Sequence, residues 1–391
     1  MAELKPGTRH HWRTRLIHAN ERQSKPFRSL TTPVYRASTV LFERFADASD
    51  DWRQAAGYTY GQYGTPTTLE LGARVAQLEG ARHTFITPGG LAAISLVYLA
   101  YCRSGSHALL PRNAYGPNTE LAHELLRGLG IEVEAYQPGI GGGIAAQIRD
   151  NTALIWCESP GSITMEVEDV PAIVRAAHAR GVPVALDNTY AAGVLFDAFA
   201  HGVDVSLQAL TKFVGGHSDL LLGSVSVANE QGFERVGQAL NQLGLCTSPD
   251  DCSLALRGMQ TLAVRLDRLE QTALRVATWL KSRPEVERVL HPALADCPGH
   301  EFWKRDFSGS SSVFSVVLQP EWTPARIVGW MESLALFQMG FSWGGVASLV
   351  MAYPHLSRLP EGRGPRLVRL NVGLEEPDDL IADLAQAFDR A

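Results

Sequence analysis

The chain has 391 residues, of which 45% are hydrophobic and 19% are charged, and its net charge at pH 7 is −6. This length predicts one large and one smaller domain. The negative net charge argues against a nucleic-acid-binding protein, which would carry a basic stripe. The longest apolar stretch, residues 91–101, is too short to cross a bilayer, so neither nucleic acid nor membrane is expected as a partner.

Cysteine usage and the amino terminus predict the compartment. The cysteines, at positions 102, 157, 246, 252 and 297, are odd in number and form no Cys-x-x-Cys pair. This pattern is typical of reduced thiols in a cytosolic protein and does not indicate a metal site. The basic run at residues 9–15 is followed by no apolar segment, so no secretory signal is expected. The sequence therefore predicts a cytoplasmic protein without a bound metal.

The order of patterns along the chain predicts its domains. Residues 1–62 lack periodicity and are rich in turn formers, which predicts an extended N-terminal arm. From about residue 67 to about residue 230, strand-like and helix-like segments alternate, and the strands are continuous apolar runs. This alternation predicts a mostly parallel sheet with helices on both faces. We therefore expect an α/β fold with a large domain over residues 63–258 and a smaller α/β domain over residues 259–391.

Individual elements can be predicted in chain order. The strands expected in the large domain are residues 83–87, 107–110, 131–135, 153–158, 182–187, 203–209 and 221–227. The expected helices are residues 68–79, 91–101, 118–129 and 170–180. A helical pattern without proline over residues 253–281 predicts one long helix that links the domains. The smaller domain should continue with a strand at 312–318, a helix at 324–336 and a strand at 367–372.

Lys212 lies just beyond a predicted strand, between an apolar stretch and a glycine-rich turn. Open α/β sheets bind ligands at the carboxyl ends of their strands, so this position is suited to a functional residue. Apolar neighbours disfavour the charged amine and lower its pKa. A neutral amine is a nucleophile that can form a Schiff base with an aldehyde, and Thr211 adds a hydroxyl suited to a phosphate. The alternative is an ordinary solvated lysine.

Two other segments complement this lysine. Gly89 and Gly90 join a predicted strand to a helix, where bare backbone N–H groups and the helix dipole attract an anion. Asp187 ends another predicted strand. Taken singly, these are equally a tight turn and a helix N-cap. Together, a phosphate-binding turn, a carboxylate for a protonated ring nitrogen and a nucleophilic lysine predict pyridoxal 5′-phosphate (PLP) as the cofactor.

Longer stretches of the chain resemble the Cys/Met-metabolism PLP-dependent enzymes of fold type I, over nearly the full length. The matching stretches are residues 158–167, 187–196, 206–219, 342–345 and 369–375. Gly161-Ser162 and the tryptophan at 343 are similar to the β-lyase branch of that family. Its γ-lyases and γ-synthases typically carry Thr-Asn at the first position and lack the tryptophan.

The resemblance implies roles for the residues around the cofactor. Lys212 would form the Schiff base and move protons, Asp187 would pair with the pyridinium nitrogen, and Tyr115 would stack on the ring with its hydroxyl near the reacting centre. The residues implied to bind the phosphate are Gly90, Leu91 and Thr211, together with Tyr60 of a neighbouring subunit.

The resemblance also implies a substrate and a reaction. Arg369 would bind the α-carboxylate of a small amino-acid substrate, while Ser342 and Trp343 would line its pocket. The implied activity is β-elimination on L-cystathionine, giving homocysteine, pyruvate and ammonia, with cysteine conjugates as further substrates. Two alternatives stay open: a γ-lyase or γ-synthase of the same family, and a PLP-fold protein that binds or regulates without turnover.

The chain departs from the family at two positions and is expected to share the family's assembly. Gln62 stands where relatives usually carry an arginine that contacts the phosphate, and Ala209 stands where many carry serine. The first change implies a greater dependence of phosphate binding on the Gly89–Gly90 turn. The resemblance further implies a homotetramer built from dimers, with the N-terminal arm contacting the neighbouring subunit.

Overall fold

The structure is a computed structural model that describes residues 11–17, 29–54, 57–356 and 364–391. Its helices are α1 (Trp12–Ile17), α2 (Pro66–Glu79), α3 (Gly90–Tyr101), α4 (Gly116–Leu121), α5 (Val170–His178), α6 (Glu230–Gln242), α7 (Pro249–Gln260), α8 (Leu262–Lys281), α9 (His300–Asp306), α10 (Pro324–Glu332) and α11 (Pro377–Arg390). Its strands are β1 (His83–Thr87), β2 (His107–Pro111), β3 (Glu132–Tyr136), β4 (Thr152–Glu158), β5 (Val184–Asp187), β6 (Val205–Gln208), β7 (Gly223–Val227), β8 (Val286–Leu290), β9 (Val313–Leu318), β10 (Gln338–Met339), β11 (Leu349–Ala352) and β12 (Leu367–Asn371).

The larger sheet has the strand order β1-β7-β6-β5-β4-β2-β3. Neighbouring strands from β6 to β3 pair in parallel, whereas β7 runs antiparallel to both β6 and β1. The predicted mostly parallel sheet is therefore confirmed. Each of its predicted strands is present, with bounds that differ by no more than two residues.

Alternate residues of the buried strands face helices on opposite sides of this sheet. On β4, Trp156 joins the apolar cluster that contains α3, and Ile155 joins the cluster that contains α5. The rings of Trp156 and Tyr98, which lies on α3, stack with their centroids 5.1 Å apart. Burial on both faces explains why the strands read as continuous apolar runs. No helix within the described residues is both long and apolar enough to cross a membrane.

The smaller sheet has the order β10-β11-β12-β9-β8, and β12 pairs antiparallel with both of its neighbours. Val368 and Leu370 of β12 pack into a core formed with α8, α10 and α11. In that core, Trp330 and Phe388 stack with ring centroids 5.0 Å apart. The predicted strands of this region are confirmed, and the predicted helix at 324–336 ends at Glu332, four residues early.

The long linking helix predicted over residues 253–281 is wrong, because the structure divides it into α7 and α8 at Thr261. This residue leaves the helical conformation, with φ −106° and ψ 5°. Its hydroxyl donates to the Gly258 carbonyl at 3.2 Å and accepts from Arg265 Nε at 3.1 Å. Arg265 is buried and also donates to the carbonyls of Phe213 and Gly258. These hydrogen bonds, of which the one to Phe213 is tertiary, stabilise the break, and the helical pattern of apolar residues gave no sign of it.

The region predicted as an N-terminal arm contains one short α-helix among its described residues. Residues 12–17 form α1, a helix that was not predicted from the sequence. The helix is stabilised by Leu16, which packs into the apolar cluster between α2 and α7. Residues 29–54 carry a single 3-10 turn and, at Thr39, an isolated bridge to Tyr60, and they form no longer helix and no named strand. It exposes Leu41 and Phe45, whose side chains are 90% and 97% accessible. Residues 1–10 and 18–28 of the predicted arm lie outside the described residues.

The break between α7 and α8 leads to a stability prediction. A Cβ atom on Gly258 would overlap the carbonyl oxygens of Val214 and Gly215, so Gly258→Ala should lower the free energy of unfolding by about 1–3 kcal/mol. Gly329 is an exposed glycine of α10 with open space at its Cβ position. Gly329→Ala should raise that free energy by roughly 0.5–1 kcal/mol. Urea unfolding of both variants measures the difference, and equal effects would contradict the packing at Gly258.

Candidate active site

Functional side chains gather where the parallel strands of the larger sheet end. β1, β2, β4, β5 and β6 run in the same direction, so their carboxyl ends share one edge. At this edge lie the Gly89–Gly90 turn after β1, Tyr115 after β2, Asp187 at the end of β5 and Lys212 after β6. Such an edge is the usual ligand site of an open α/β sheet. The topology therefore brings together four segments that are distant in sequence.

The amino terminus of α3 contacts the turn that carries Lys212. A Cβ atom on Gly90 would lie 2.8 Å from the Cβ of Ala209, whereas Gly89 has open space at that position. Since α3 has 12 residues, its first-turn N–H groups and dipole can attract a phosphate. Leu91, the second residue of α3, is half-exposed there. The predicted phosphate turn and the predicted Schiff-base lysine thus lie beside each other.

The Lys212 amine contacts the smaller sheet's loop. Its Nζ donates to Ser342 Oγ at 2.6 Å and lies 5.4 Å from the centre of the Trp343 ring. Burial, together with the nearby positive charge of Arg369, lowers the pKa of Lys212 to about 8, while Asp187 opposes this shift. The amine is still mostly protonated at pH 7, but its neutral fraction is far larger than that of an ordinary lysine, and the neutral form is the one that acts as a nucleophile or proton acceptor.

Asp187 places a carboxylate at the same edge. Its Oδ1 accepts a hydrogen bond from the Thr189 backbone N–H at 3.0 Å. Burial raises the pKa of Asp187, whereas hydrogen bonds from Thr189 and the charge of Lys212 oppose that rise. The Thr189 hydroxyl accepts from the Ala209 N–H at 2.9 Å, which links the Asp187 loop to the Lys212 turn. A carboxylate in this setting is suited to a cationic partner.

Arg369 reaches the site from β12 of the smaller sheet. Its side chain is buried, its guanidinium donates weakly to the Ser342 carbonyl at 3.4 Å, and it lies 5.3 Å from the centre of the Tyr353 ring. Burial lowers the pKa of Arg369. Within the described residues, no carboxylate forms an ion pair with it. A buried guanidinium with free donors is suited to bind the carboxylate of a ligand.

Tyr115 is held at the site by Glu158, a residue without a predicted role. The backbone N–H of Tyr115 donates to Glu158 Oε2 at 2.7 Å. Glu158 ends β4 and pairs in register with Asp187 on β5. Burial raises the pKa of the Tyr115 hydroxyl, and the negative charges of Asp187 and Glu158 add to this rise. The hydroxyl therefore stays protonated at neutral pH.

The structure gives Thr211 a different hydrogen bond from the predicted one. Its hydroxyl donates to the Leu222 carbonyl and accepts from the Leu222 N–H, both at 3.1 Å. A hydroxyl has one hydrogen to donate, and here that hydrogen goes to the backbone. Phosphate binding by Thr211 therefore requires its hydroxyl to turn away from Leu222, and the role stays a prediction.

Tyr60 and Gln62 lie in the arm and do not join the other site residues within the described chain. Tyr60 is 45% exposed and packs edge-on against Tyr63. Gln62 Nε2 donates to the backbone carbonyl and the side-chain oxygen of Asn241, at 3.2 and 3.4 Å. The neutral side chain of Gln62 is therefore hydrogen-bonded to α6 of its own chain. Whether Tyr60 serves a neighbouring subunit stays a prediction.

One group of potential metal ligands lies elsewhere among the described residues, at the opposite edge of the larger sheet. His107, Glu132 and Glu134 bring ligand atoms within 4.8 Å of one another. Arg149 donates to the carboxylates of both Glu132 and Glu134. The His107 ring also contacts Thr152 Oγ1 at 2.9 Å. A guanidinium that neutralises both acids gives this cluster a structural explanation.

Comparisons with known proteins agree with this geometry. The family model described as "Cys/Met metabolism PLP-dependent enzyme" matches residues 13–389. The chain belongs to this family. It is 43% identical to a putative cystathionine beta-lyase of Rhizobium johnstonii (96% of this chain, 95% of that protein) and 39% identical to the cystathionine beta-lyase of Escherichia coli (96% and 98%). A crystal structure of cystathionine gamma synthase from Xanthomonas oryzae superposes with a TM-score of 0.90 at 28% identity, covering 98% of this chain and 99% of that one.

Membership of the family makes PLP the cofactor, and the chemistry of the residues fits it. The amine of Lys212 matches the aldehyde, the carboxylate of Asp187 matches the ring nitrogen, and the open start of α3 at Gly89 matches the phosphate. The half-exposed ring of Tyr115 lies at the same edge of the sheet. Each functional group of the cofactor thus has a counterpart of suitable charge.

Two residues of the site were missed by reasoning from the sequence. Glu158 could have been found, because it ends the predicted strand next to that of Asp187 and ends of parallel strands share an edge. Tyr353 follows β11, and its ring lies against Arg369. No pattern in the sequence marks Tyr353, since the contact depends on how β11 and β12 pair.

The lowered pKa of Lys212 can be tested in the full chain freed of cofactor. Amine labelling followed by peptide mass spectrometry should show Lys212 reactivity rising with a midpoint near pH 8. Arg369→Met removes a positive neighbour that disfavours the ammonium, so the midpoint should rise. Asp187→Asn removes a negative neighbour that favours it, so the midpoint should fall. Lys281, on the exposed end of α8, serves as the internal reference for reagent strength. Shifts of the opposite sign would contradict the electrostatic account.

Proposed function

We propose that the chain is a carbon–sulfur β-lyase, in which L-cystathionine and water give homocysteine, pyruvate and ammonia, a step toward methionine. The proposal is supported by Ser342, which contacts both the Lys212 amine and the Arg369 guanidinium, the two groups proposed as base and as carboxylate-binding cation. The names of the relatives from Rhizobium and Escherichia support it. Other cysteine conjugates belong to the same substrate class, since the reaction requires only a leaving group at Cβ.

The residues around the Lys212 amine have proposed tasks. PLP, when bound, would supply the electron sink for negative charge at the substrate Cα. Lys212 is the proposed base, because an amine with a pKa of about 8 can take the Cα proton and return it to the departing sulfur. Ser342 would hold the free amine through its hydroxyl, and the Trp343 ring would keep water from that side of Nζ.

Substrate orientation is proposed to depend on Arg369. Its planar guanidinium can bind an α-carboxylate through two parallel hydrogen bonds, which a lysine could not replace. Charge-assisted hydrogen bonds contribute about 1.5–3 kcal/mol each. Because Arg369 also contacts the Ser342 carbonyl, the bound carboxylate would lie on the side of the site that carries the base. Tyr115, with its protonated hydroxyl, would cover the cofactor ring.

The second candidate is γ-cleavage, which the similarity to the cystathionine gamma synthase structure favours. We propose β-cleavage because of Gly161-Ser162 and Trp343, and products from L-cystathionine distinguish the two. Purified protein should release pyruvate and homocysteine, and Lys212→Ala should reduce the rate by at least about 1,000-fold while PLP still binds non-covalently. Lys281→Ala, at a surface lysine paired with Asp296, should leave the rate unchanged. Mainly 2-oxobutyrate and cysteine would establish the γ reaction, and turnover by Lys212→Ala would remove that lysine from its role.

We propose that the active site is shared between subunits of a homotetramer built from dimers. The support is the arm, in which Leu41 and Phe45 are almost fully exposed and Tyr60 is half-exposed. Apolar surface of this kind is typical of a contact with another chain. Tyr60 would reach the phosphate of the neighbouring site. Gln62 supplies no positive charge there, so the start of α3 would carry more of the phosphate binding.

Subunit sharing predicts rescue in mixed assemblies. Tyr60→Phe chains and Lys212→Ala chains, carrying different tags, should each have low activity, whereas mixed dimers should regain part of it. The reason is that one site per mixed dimer would contain both Lys212 and Tyr60 unaltered. Pyruvate release from doubly purified mixed assemblies measures this. Absence of rescue after proven subunit exchange, or an active monomer in sedimentation, would rule out the shared site.

We also propose a cytoplasmic location. The five cysteines of the chain all carry free thiols, and Cys102, Cys157, Cys252 and Cys297 are buried. Burial raises the pKa of these four thiols, which keeps them protonated and unreactive. Reduced, unpaired cysteines are typical of proteins in a reducing compartment.

A further inference from the structure

We propose that Asn371 is a positioning residue, which holds residues 341–348 (the Ser342 loop) so that the Ser342 hydroxyl stays against the Lys212 amine. The inference rests on the proposed function, because it assigns a task to the contact between Lys212 and Ser342. It goes beyond that function by naming the residue on which the contact depends. The side-chain hydrogen bonds of Asn371 go to Ser312, Gly344 and Ala347, and none of them goes to Lys212 among the described residues.

The first observation is strain at Ser342. Its φ is +91°, in a region that side-chain-bearing residues rarely adopt. Gly344, two residues later, also has a positive φ of +79°. Strained residues persist only where the surrounding structure holds them, and they cluster at functional sites. Ser342 therefore needs partners outside its own backbone to keep its hydroxyl 2.6 Å from Lys212 Nζ.

The second observation is the set of hydrogen bonds made by the Asn371 amide. Its Oδ1 accepts from the Gly344 backbone N–H at 3.0 Å and from Ser312 Oγ at 2.8 Å. Its Nδ2 donates to the Ala347 carbonyl at 3.1 Å. The side chain is 2% exposed, so water cannot replace these partners. One amide thus ties two points of the Ser342 loop to a buried strand, and Ser312 orients that amide.

The third observation is the position of Asn371 on β12. Residues two apart on a strand share a face, so Asn371 lies on the same face as Arg369. The intervening Leu370 packs into the core of the smaller sheet. One rigid strand therefore presents the carboxylate-binding guanidinium and the amide that holds the loop carrying Ser342. The spacing of these two residues couples the position of the substrate's carboxylate to that of the base.

Glu375 fixes the end of the same loop. Its carboxylate accepts from the Ser348 N–H at 2.8 Å and from Ser348 Oγ at 2.9 Å. The Ser342 loop is thus held near its middle by Asn371 and at its end by Glu375. Asn371 binds the loop closer to Ser342 than Glu375 does, because it contacts Gly344, two residues after Ser342, whereas Glu375 contacts Ser348. Arg369 reaches Ser342 itself only through the long 3.4 Å hydrogen bond to its carbonyl. Loss of Asn371 should therefore loosen the strained residue while Glu375 still keeps the loop attached.

A double-mutant cycle on the holoenzyme separates positioning from simple structural support. Asn371→Ala should lower kcat/KM for pyruvate release by about 10–100-fold in the wild-type background. In a Ser342→Ala background it should lower kcat/KM by less than about three-fold, since residues that act through one contact are not additive. The loss of melting temperature should be the same in both backgrounds. The control is Gln386→Ala, which removes another side-chain amide that donates to a backbone carbonyl, that of Ser333 directly after α10. This variant should leave kcat/KM unchanged.

The same variants have a readout that does not require turnover. In the full chain without cofactor, the pH midpoint of Lys212 labelling should fall in Ser342→Ala, because the hydroxyl accepts from the ammonium form. Asn371→Ala should shift it in the same direction, and the double variant should add nothing further. Should the wild type release no pyruvate, the proposed function fails, but this labelling still decides the role of Asn371.

The outcomes are therefore decisive. Equal losses of kcat/KM in the two backgrounds, or an Asn371→Ala protein with unchanged kinetics and labelling, would overturn the proposal. Where Asn371→Ala fails to fold, Ser312→Ala replaces it in the cycle. That variant removes only the hydrogen bond that orients the amide, and a loss of about three-fold that vanishes with Ser342→Ala supports the proposal. An undiminished loss with Ser342→Ala refutes it.

Discussion

The contact between the Lys212 amine and the Ser342 hydroxyl is the interaction on which the site depends. Lys212 follows β6 of the larger sheet, and Ser342 precedes β11 of the smaller sheet. The contact therefore exists only when both sheets have formed and packed together. The break between α7 and α8 contributes, because Arg265 there donates to the carbonyl of Phe213, the residue after Lys212. Each sheet supplies half of the chemistry, and neither half can act without the other.

Buried charge is the constraint that accompanies this contact. The charge of Lys212 is influenced by those of Asp187 and Arg369. Burial raises the pKa of Asp187 and lowers those of Lys212 and Arg369, so in each case it favours the neutral form. Such a cluster is costly to bury without partners. A cofactor with an aldehyde and a basic ring nitrogen, together with an amino-acid substrate that has a carboxylate, would supply those partners. The free-energy cost of burying these charged groups in the unliganded protein is thus consistent with a site that binds a cofactor and a substrate.

The local patterns of the sequence were sufficient for most elements of the larger sheet. The strand that ends at Asp187 and the turn that follows Gly89 could be predicted because apolar runs and glycine pairs are read over a few residues. The helix break at Thr261 could not, since it depends on the hydrogen bonds of Arg265, one of which goes to the carbonyl of the distant Phe213. Likewise, α1 forms because Leu16 finds a pocket between α2 and α7, which no local pattern records.

The sequence by itself determined the identity of the chemical groups: a lysine after one strand, an aspartate at the end of another, and an arginine within the motif at residues 369–375. It also determined the shared edge of the lysine and the aspartate, because parallel strands end on the same side of a sheet, whereas the arginine comes from a strand of the smaller sheet. The tertiary structure alone decided which groups touch. It turned the Thr211 hydroxyl toward Leu222, placed Glu158 under Tyr115, and set Asn371 against the loop of Ser342. These contacts depend on distances and angles between segments that are far apart in the chain, and local propensity contains no information about them.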